Sequence, residues 1–325
     1  MNCTHLFLRS TSQSLLNRSR STIQLQVKRF ASSNQNESMV SRGWRKLAVA
    51  IRTFMAGTKA LYKDVTLMYE IRSTHGKYTI TSTFPKGVSH GFPLSRSQLQ
   101  FTYSTQKNLI KMLPTVALFF VPVLGYVVPL VAFMYPEKLL SNQFWTDDQR
   151  KLFTLSEAKR SEEIFESLMR EVRTALSQKQ LDSVTDLRKK LKDADLNWEQ
   201  EHSLFQDPFL PYGLTTNQMG LLCSGWGLRT WLPIQSRRRL LLERHMKYLF
   251  TCDWLLSLEG GVESLTDKEV FEACAERKII PSDNTADVIL LRTLLKTWTA
   301  LTTSVNECPM SLMAHLPMTQ FHDVL

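Results

Sequence analysis

Apolar residues recur at three- and four-residue intervals over most of the chain beyond residue 136, a pattern that predicts amphipathic helices and not strands. The predicted helices are 152–176, 182–198, 215–223, 236–258, 266–278 and 286–303. Thr146 and Gln149 have the spacing of a capping box, as do Thr266 and Glu269. We find no alternation of strand and helix and no repeat. The pattern therefore predicts an all-α fold, with a helical domain over residues 136–325.

The first 30 residues have the composition of an import signal. They contain five basic residues and no acid, and the first acidic residue is Glu37. Leu16, Ile23, Val27 and Phe30 follow a helical spacing. A cationic amphipathic helix of this kind predicts a mitochondrial presequence over residues 1–30, with cleavage after Phe30. The alternative is a disordered basic tail.

Residues 31–111 form a basic N-terminal segment. Residues 44–68 have helical apolar spacing interleaved with Arg and Lys, which predicts a basic helix. Such a helix either lies on anionic lipid or is an ordinary helix with a solvated face. Glycine and proline between residues 73 and 91 indicate a loop.

The run from Met112 to Tyr135 contains 24 residues and no charge. A helix of this length is about 36 Å long, against about 30 Å for the hydrocarbon core of a bilayer, which predicts one transmembrane helix over residues 112–135. Four prolines fall at kink or packing positions in or beside this span, at Pro114, Pro122, Pro129 and Pro136. The alternative is a buried, proline-rich hairpin in the core of a soluble protein. The run contains no ionisable residue, which argues against an ion pathway in a single span.

The charge of +10 is unevenly distributed along the 325 residues. Residues 37–111 hold 12 basic and 3 acidic side chains, a net charge of +9, whereas residues 136–325 hold 23 and 27, a net charge of −4. The five cysteines and seven histidines have no metal-binding spacing, and no nucleophile or phosphate-binding motif is present. We therefore expect no enzyme activity, no catalytic residues, no metal, no cofactor and no small-molecule substrate.

Several motifs resemble the LETM family of mitochondrial inner-membrane proteins, most closely its short LETM-domain-containing members. They are the proline-spaced residues 121–136, Leu214-Thr215 with Gln218-Met219, Leu222-Cys223 and Gly227-Leu228, then Arg237-Arg238-Arg239-Leu240, and finally residues 261–277. The resemblance covers residues 99–303. It implies a 14-3-3-like, ribosome-binding helical domain in the mitochondrial matrix, and it links the family to cation/proton exchange.

The chain departs from the family pattern at several positions. Gly125 replaces an acidic residue of the ion-exchanging relatives, Asp253 stands without a second aspartate, and Lys278 stands where a glycine is usual. We also find no calcium-binding loop motif. These differences favour an inner-membrane protein that binds the mitochondrial ribosome and supports translation. The alternatives are a component or regulator of K⁺/H⁺ or Ca²⁺/H⁺ exchange, and a scaffold for other inner-membrane proteins.

A cluster of basic residues around residues 229–247 is the predicted contact with the ribosome. It comprises Arg229, Arg237, Arg238, Arg239, Arg244 and Lys247, with the single acid Glu243. Such a cluster attracts phosphate through counterion release. Trp226 and Trp231 are candidates to stack on exposed bases, although tryptophan in a helical domain more often belongs to the core. The alternative for the cluster is a solvated cationic helix face.

The predicted location is the inner mitochondrial membrane, crossed once, with the C-terminal domain in the matrix. The positive-inside rule opposes this orientation, because it places the +9 segment in the matrix and the domain outside. We follow the family arrangement. Expected partners are the ribosome, inner-membrane lipid, and either a second copy of the chain or other inner-membrane proteins.

Overall fold

The computed structural model describes residues 39–75, 94–119, 131–132, 134–174, 213–228, 234–281, 287–304, 308 and 310–320. The chain divides into two compact units, residues 1–57 and residues 58–325. The predicted presequence, the predicted helix 182–198, and Pro122, Pro129, Arg229 and Trp231 lie outside the described residues.

Every regular element in the described part of the chain is a helix, which confirms the predicted all-α class. The helices are α1 (Met39–His75), α2 (Arg96–Phe119), α3 (Pro136–Leu139), α4 (Asp147–Arg173), α5 (Thr216–Gly225), α6 (Gln235–Leu258), α7 (Asp267–Glu276), α8 (Val288–Thr303) and α9 (Met310–Gln320). Short 3₁₀ turns at Asn142–Phe144 and Val262–Ser264 precede α4 and α7.

Three helices begin with complete capping boxes. Thr146 caps α4 with Gln149, Thr215 caps α5 with Gln218, and Thr266 caps α7 with Glu269. In each box the threonine hydroxyl accepts a hydrogen bond from the third helical amide, and the later side chain accepts one from the threonine amide. The two boxes predicted from sequence are confirmed.

Helix α6 is the centre of the second unit. It contacts α2, α5, α8 and α9, and nearly half of its residues are buried. Among the described residues, the largest fully buried side chains are Tyr248 of this helix and Trp226, Phe165 and Trp298. Because α6 has neighbours on several sides, its C-terminal half lacks a clear polar face. This part of the helix is stabilised by burial and not by local helix propensity.

Helix α9 was not predicted from the sequence. Residues 312–318 are all buried, so the helix has no polar face and therefore no amphipathic period. Pro317 lies inside it, which also argues against a helix in a local analysis. The helix forms because it packs against α4 and α6.

One buried ionic cluster joins three helices. The carboxylate of Asp253 on α6 accepts hydrogen bonds from Arg277 Nε at 3.0 Å and from Nη2 of the same guanidinium. Its second oxygen accepts from Trp298 Nε1 at 2.9 Å and from Thr302 Oγ1 at 3.0 Å, both on α8. Burial raises the pKa of Asp253, and the charge and hydrogen bonds of Arg277 counteract that effect. The cluster is stable because every buried charge has partners.

We predict that Asp253→Ala lowers the free energy of unfolding by about 3–5 kcal/mol, because it leaves the Arg277 guanidinium buried without a counterion. Asp287→Ala is the matched control, since this exposed N-cap residue of α8 makes no side-chain capping bond. The control is expected to lose less than about 1 kcal/mol. Urea unfolding followed by circular dichroism measures both, and equal losses would contradict this role for the cluster.

Lys278 ends α7 in the left-handed region, with φ of 58°. The amide of Ile279 donates to Cys274 O at 3.0 Å, which closes the helix end in the manner usual for a glycine. A lysine in this conformation costs about 1 kcal/mol. Its Nζ forms an ion pair with Glu157 Oε1 on α4 at 2.7 Å and lowers the pKa of Glu157 to about 2. The ion pair between the end of α7 and α4 thus offsets the backbone strain at Lys278.

Two fully buried histidines are held neutral. His315 Nδ1 donates to Ser311 O at 2.7 Å, and burial lowers its pKa to about 4. Burial, with the charges of Lys107, Lys278 and Arg277, also lowers the pKa of His245 well below its usual value. In the unfolded chain a histidine binds its proton near pH 6.5, so the unfolded state takes up protons first as the pH falls. These two histidines therefore do not lower the free energy of unfolding well above pH 6.5, and they lower it progressively as the pH falls below that value.

We predict that His315 alone removes about 2 kcal/mol of stability between pH 7 and pH 5. The measurement is the free energy of unfolding at both values for the natural chain and for His315→Gln. The substitution is expected to reduce the loss between the two pH values by about that amount, whatever its effect at pH 7. An unchanged pH dependence would mean that His315 is already accessible to protons in the folded chain.

The predicted single helix over residues 112–135 is not confirmed. Residues 112–119 continue α2, which begins at Arg96, and Pro114 lies inside that helix. Pro136 occupies the first position of the separate helix α3, where a missing amide donor does no harm. Among the described helices, none is both long and apolar enough to cross a membrane, and residues 120–130 lie outside them.

Candidate basic contact surface

Five of the six predicted contact residues lie towards the N-terminal end of α6. Arg237, Arg238, Arg239, Arg244 and Lys247 fall within its first four turns, and Arg229 lies outside the described residues. The first turn of α6 contains no acid, and its N-cap, Ile234, makes no side-chain cap. The amide dipoles at this helix end therefore add positive potential to the arginines.

Arg237 and Arg244 form the outward part of the cluster. They are seven residues apart, which places them on one side of the helix, and both are exposed. Leu240 lies between them on the same side and is 51% exposed. Lys247 continues this side one turn later, where its Nζ lies 2.5 Å from Glu243 Oε1. We name Arg237, Leu240, Arg244 and Lys247 the outward face of α6.

Arg238 points the other way, across α5. Its Nη1 donates to Thr216 O at 3.0 Å, and the guanidinium lies so close to Gly220 that a Cβ there would be 2.9 Å from Nη1. The backbone oxygen of Arg238 also accepts a bond from Cys223 Sγ at 3.5 Å. Arg239 is half-buried. The structure therefore divides the arginine triplet, because neighbouring helical residues point about 100° apart.

Trp226 is not available to stack on bases. It is fully buried, its Nε1 donates to Ala314 O at 2.9 Å, and its ring meets Phe165 edge-on. The core interpretation of this tryptophan is confirmed. Cys223 and Cys274 are buried too, as their apolar surroundings predicted, and burial raises the pKa of Cys223 to about 11 and that of Cys274 to about 12.

The Asp253 cluster is the feature that sequence reasoning missed. Arg277 stands in the last of the motifs quoted above and Asp253 was noted only as lacking a second aspartate, and nothing in their spacing of 24 residues indicates a pair. Their fully buried position assigns them to the stability of the domain and not to a contact surface. Within the described residues, no group of three or more His, Cys, Asp or Glu side chains is arranged to hold a metal ion.

A family model described as LETM1-like, RBD matches residues 94–319, which is more than two thirds of the chain. The chain belongs to the LETM1-like ribosome-binding domain family. In this LETM1-like domain the match runs from just before α2 to the end of α9, so it includes both the basic outward face and the apolar run. The family is not an enzyme family as such. No curated protein matches the chain.

We predict that the two neighbouring arginines of this LETM1-like domain differ in their effect on stability. Arg238→Ala is expected to lower the free energy of unfolding by about 1 kcal/mol. The reason is that Thr216 O loses its hydrogen bond from Arg238 and α5 loses the side chain that packs on it. Arg237→Ala, at an exposed position, is expected to change it by less than about 0.5 kcal/mol. Thermal unfolding of both variants tests the division of the triplet, and equal effects would contradict it.

Proposed function

We propose that this LETM1-like protein binds the mitochondrial ribosome through the outward face of α6 and supports mitochondrial translation. The observation that carries the proposal is the pair of exposed arginines, Arg237 and Arg244, on one side of a helix in a ribosome-binding-domain fold. The neighbouring Arg238 packs against α5 and Arg239 is half-buried, which leaves the outward pair for a partner.

Electrostatic attraction to phosphate is the physical basis of the contact. Residues 136–325 have a net charge of −4, so the net charge of this part of the chain does not attract RNA. Attraction must therefore come from a local cluster with its own positive potential. The N-terminal end of the α6 dipole adds to that potential. Leu240, exposed between the arginines, adds apolar contact area to a protein or a base. Binding of this kind weakens as salt rises.

The proposed location is the matrix side of the inner mitochondrial membrane. Two sequence features support it: the acid-free basic residues 1–30 and the uncharged run 112–135. Inner-membrane lipid and a second copy of the chain remain proposed partners. A role in K⁺/H⁺ or Ca²⁺/H⁺ exchange stays a prediction from the family resemblance alone.

We predict that Arg237→Glu together with Arg244→Glu weakens co-sedimentation with purified mitochondrial ribosomes by tenfold or more near physiological salt. The salt dependence of the remaining binding is expected to fall by about two counterions, one for each lost contact. The measurement is the ribosome-bound fraction across a salt series.

The matched control replaces Arg170 and Arg173, two exposed arginines in the last turn of α4, by glutamate. The net charge changes by the same amount as in the test variant, so a general charge effect would weaken both. Wild-type binding by the outward-face variant would reject the proposed contact. Equal loss of ribosome binding in both variants would mean that the change in net charge causes the effect.

A further inference from the structure

The last part of α1, residues 58–75, is docked along one side on the rest of the second unit. Gln143 Nε2 donates to Asp64 Oδ2 at 2.9 Å, and Arg72 Nη2 donates to Gln106 Oε1 on α2 at 2.9 Å. Met68 stands midway between Asp64 and Arg72 on the same side and is buried. These contacts hold this part of the helix, so its opposite side faces outward.

Two tyrosines are exposed on this outward side. Tyr62 is 75% exposed and Tyr69 is 74% exposed. They are seven residues apart, so they point the same way and lie about 10 Å from each other along the helix axis. In the part of the chain that the structure describes, neither side chain makes a hydrogen bond or a ring contact. Aromatic rings left in water on a docked helix indicate a surface for a partner.

Two lysines lie beside the first tyrosine. Lys59 and Lys63 are exposed, and neither forms an ion pair with a described residue. They stand four residues apart, which makes them neighbours on the helix surface, so their like charges repel each other. An anionic partner relieves this repulsion, whereas a neutral one does not. We name the following four residues the tyrosine face of α1: Lys59, Tyr62, Lys63 and Tyr69.

The charge of α1 is complementary to a polyanion. Residues 39–75 contain seven basic and two acidic side chains, a net charge of +5. One of the two acids, Asp64, is turned inward, where it accepts the hydrogen bond from Gln143. A phosphate backbone is attracted to such a segment through counterion release, without any need for sequence-specific contacts.

The residues around the two rings favour RNA over a bilayer. A helix that lies in a membrane surface presents a continuous apolar stripe. Here Thr66 stands between Tyr62 and Tyr69 on the outward side, and its hydroxyl donates to Tyr62 O at 3.0 Å. Leu67 is 41% exposed, but it points about 140° away from Tyr62. The tyrosine face therefore combines aromatic rings with polar and cationic groups, which suits bases and phosphates.

We propose that the tyrosine face of α1 binds single-stranded RNA, with bases stacked on Tyr62 and Tyr69 and phosphates held by the two lysines. A single strand fits because its bases are free to stack, and tyrosine accepts every base. About three stacked steps of about 3.4 Å each cover the distance between the rings. The proposal goes beyond the ribosome contact of α6, since α1 lies before the matched residues 94–319 and this binding needs no ribosome.

The first test measures stacking, by fluorescence anisotropy of a fluorescein-labelled oligouridylate titrated with the full chain. Tyr62→Ala with Tyr69→Ala is expected to raise the Kd tenfold or more, because both stacking rings are lost. The control is Tyr62→Phe with Tyr69→Phe, which keeps the rings and is expected to bind within about twofold of the natural chain. Circular dichroism verifies that both variants fold. An unchanged Kd for the alanine variant, or an equal loss in both variants, would overturn the proposal.

The second test measures the phosphate contacts through the salt dependence of the same titration. Lys59→Gln with Lys63→Gln is expected to weaken binding and to reduce the slope of log Kd against log salt by about 1.4, which is about 0.7 for each lost contact. The control is Lys151→Gln with Lys159→Gln, two exposed lysines of α4, and it is expected to keep the natural slope. An unchanged slope in the first variant would contradict the role of the two lysines.

Two further measurements separate this proposal from its alternatives. If the alanine variant loses flotation with phosphatidylcholine–cardiolipin vesicles and keeps oligouridylate binding, the face contacts lipid and the proposal fails. Oligouridylate binding that is lost only in Arg237→Glu with Arg244→Glu would place the RNA contact on α6 and overturn the proposal. If that arginine variant binds ribosomes normally while the alanine variant loses oligouridylate, the proposed function fails and the tyrosine face stands.

Discussion

The buried carboxylate of Asp253 is the constraint on which the domain depends. It accepts hydrogen bonds from the guanidinium of Arg277, just after the end of α7, and from an indole and a hydroxyl of α8, and it lies at the inner side of α6. A charge at this depth is tolerated only when all of its partners are in place. The cluster therefore fixes the mutual position of three helices more strictly than apolar packing does, since apolar contacts adapt to small shifts.

Fixing α6 in this way determines what its other side presents. The helix is held by contacts with α2, α5, α8 and α9, and Arg238 is used to cover α5. Arg237, Leu240 and Arg244 are then left facing outward on a rigid support. A binding surface on a helix that belongs to the core needs little ordering when a partner arrives, which favours affinity.

The same packing affects the apolar run. Because α2 is docked on α6 through Tyr103 and His245, the chain enters the run from a position already fixed on the domain. The contact of Thr115 with Leu139 fixes its return. Hydropathy reports that a segment is apolar and how long it is, and it contains no information about where the two ends lie. A single crossing is the prediction from length alone, and the described helices do not confirm it, since residues 120–130 lie outside them.

The sequence by itself determined the helical class, the capped starts of α4 and α7, the family motifs and the packing role of Cys223 and Cys274. These features depend on local hydrogen bonds and on short-range periodicity, which are legible along the chain. Only the tertiary structure decided which arginines face outward, that Trp226 is buried, that α9 is a helix, and that Asp253 pairs with Arg277. Each of these depends on contacts between residues distant in sequence, where burial and partner geometry outweigh local preference.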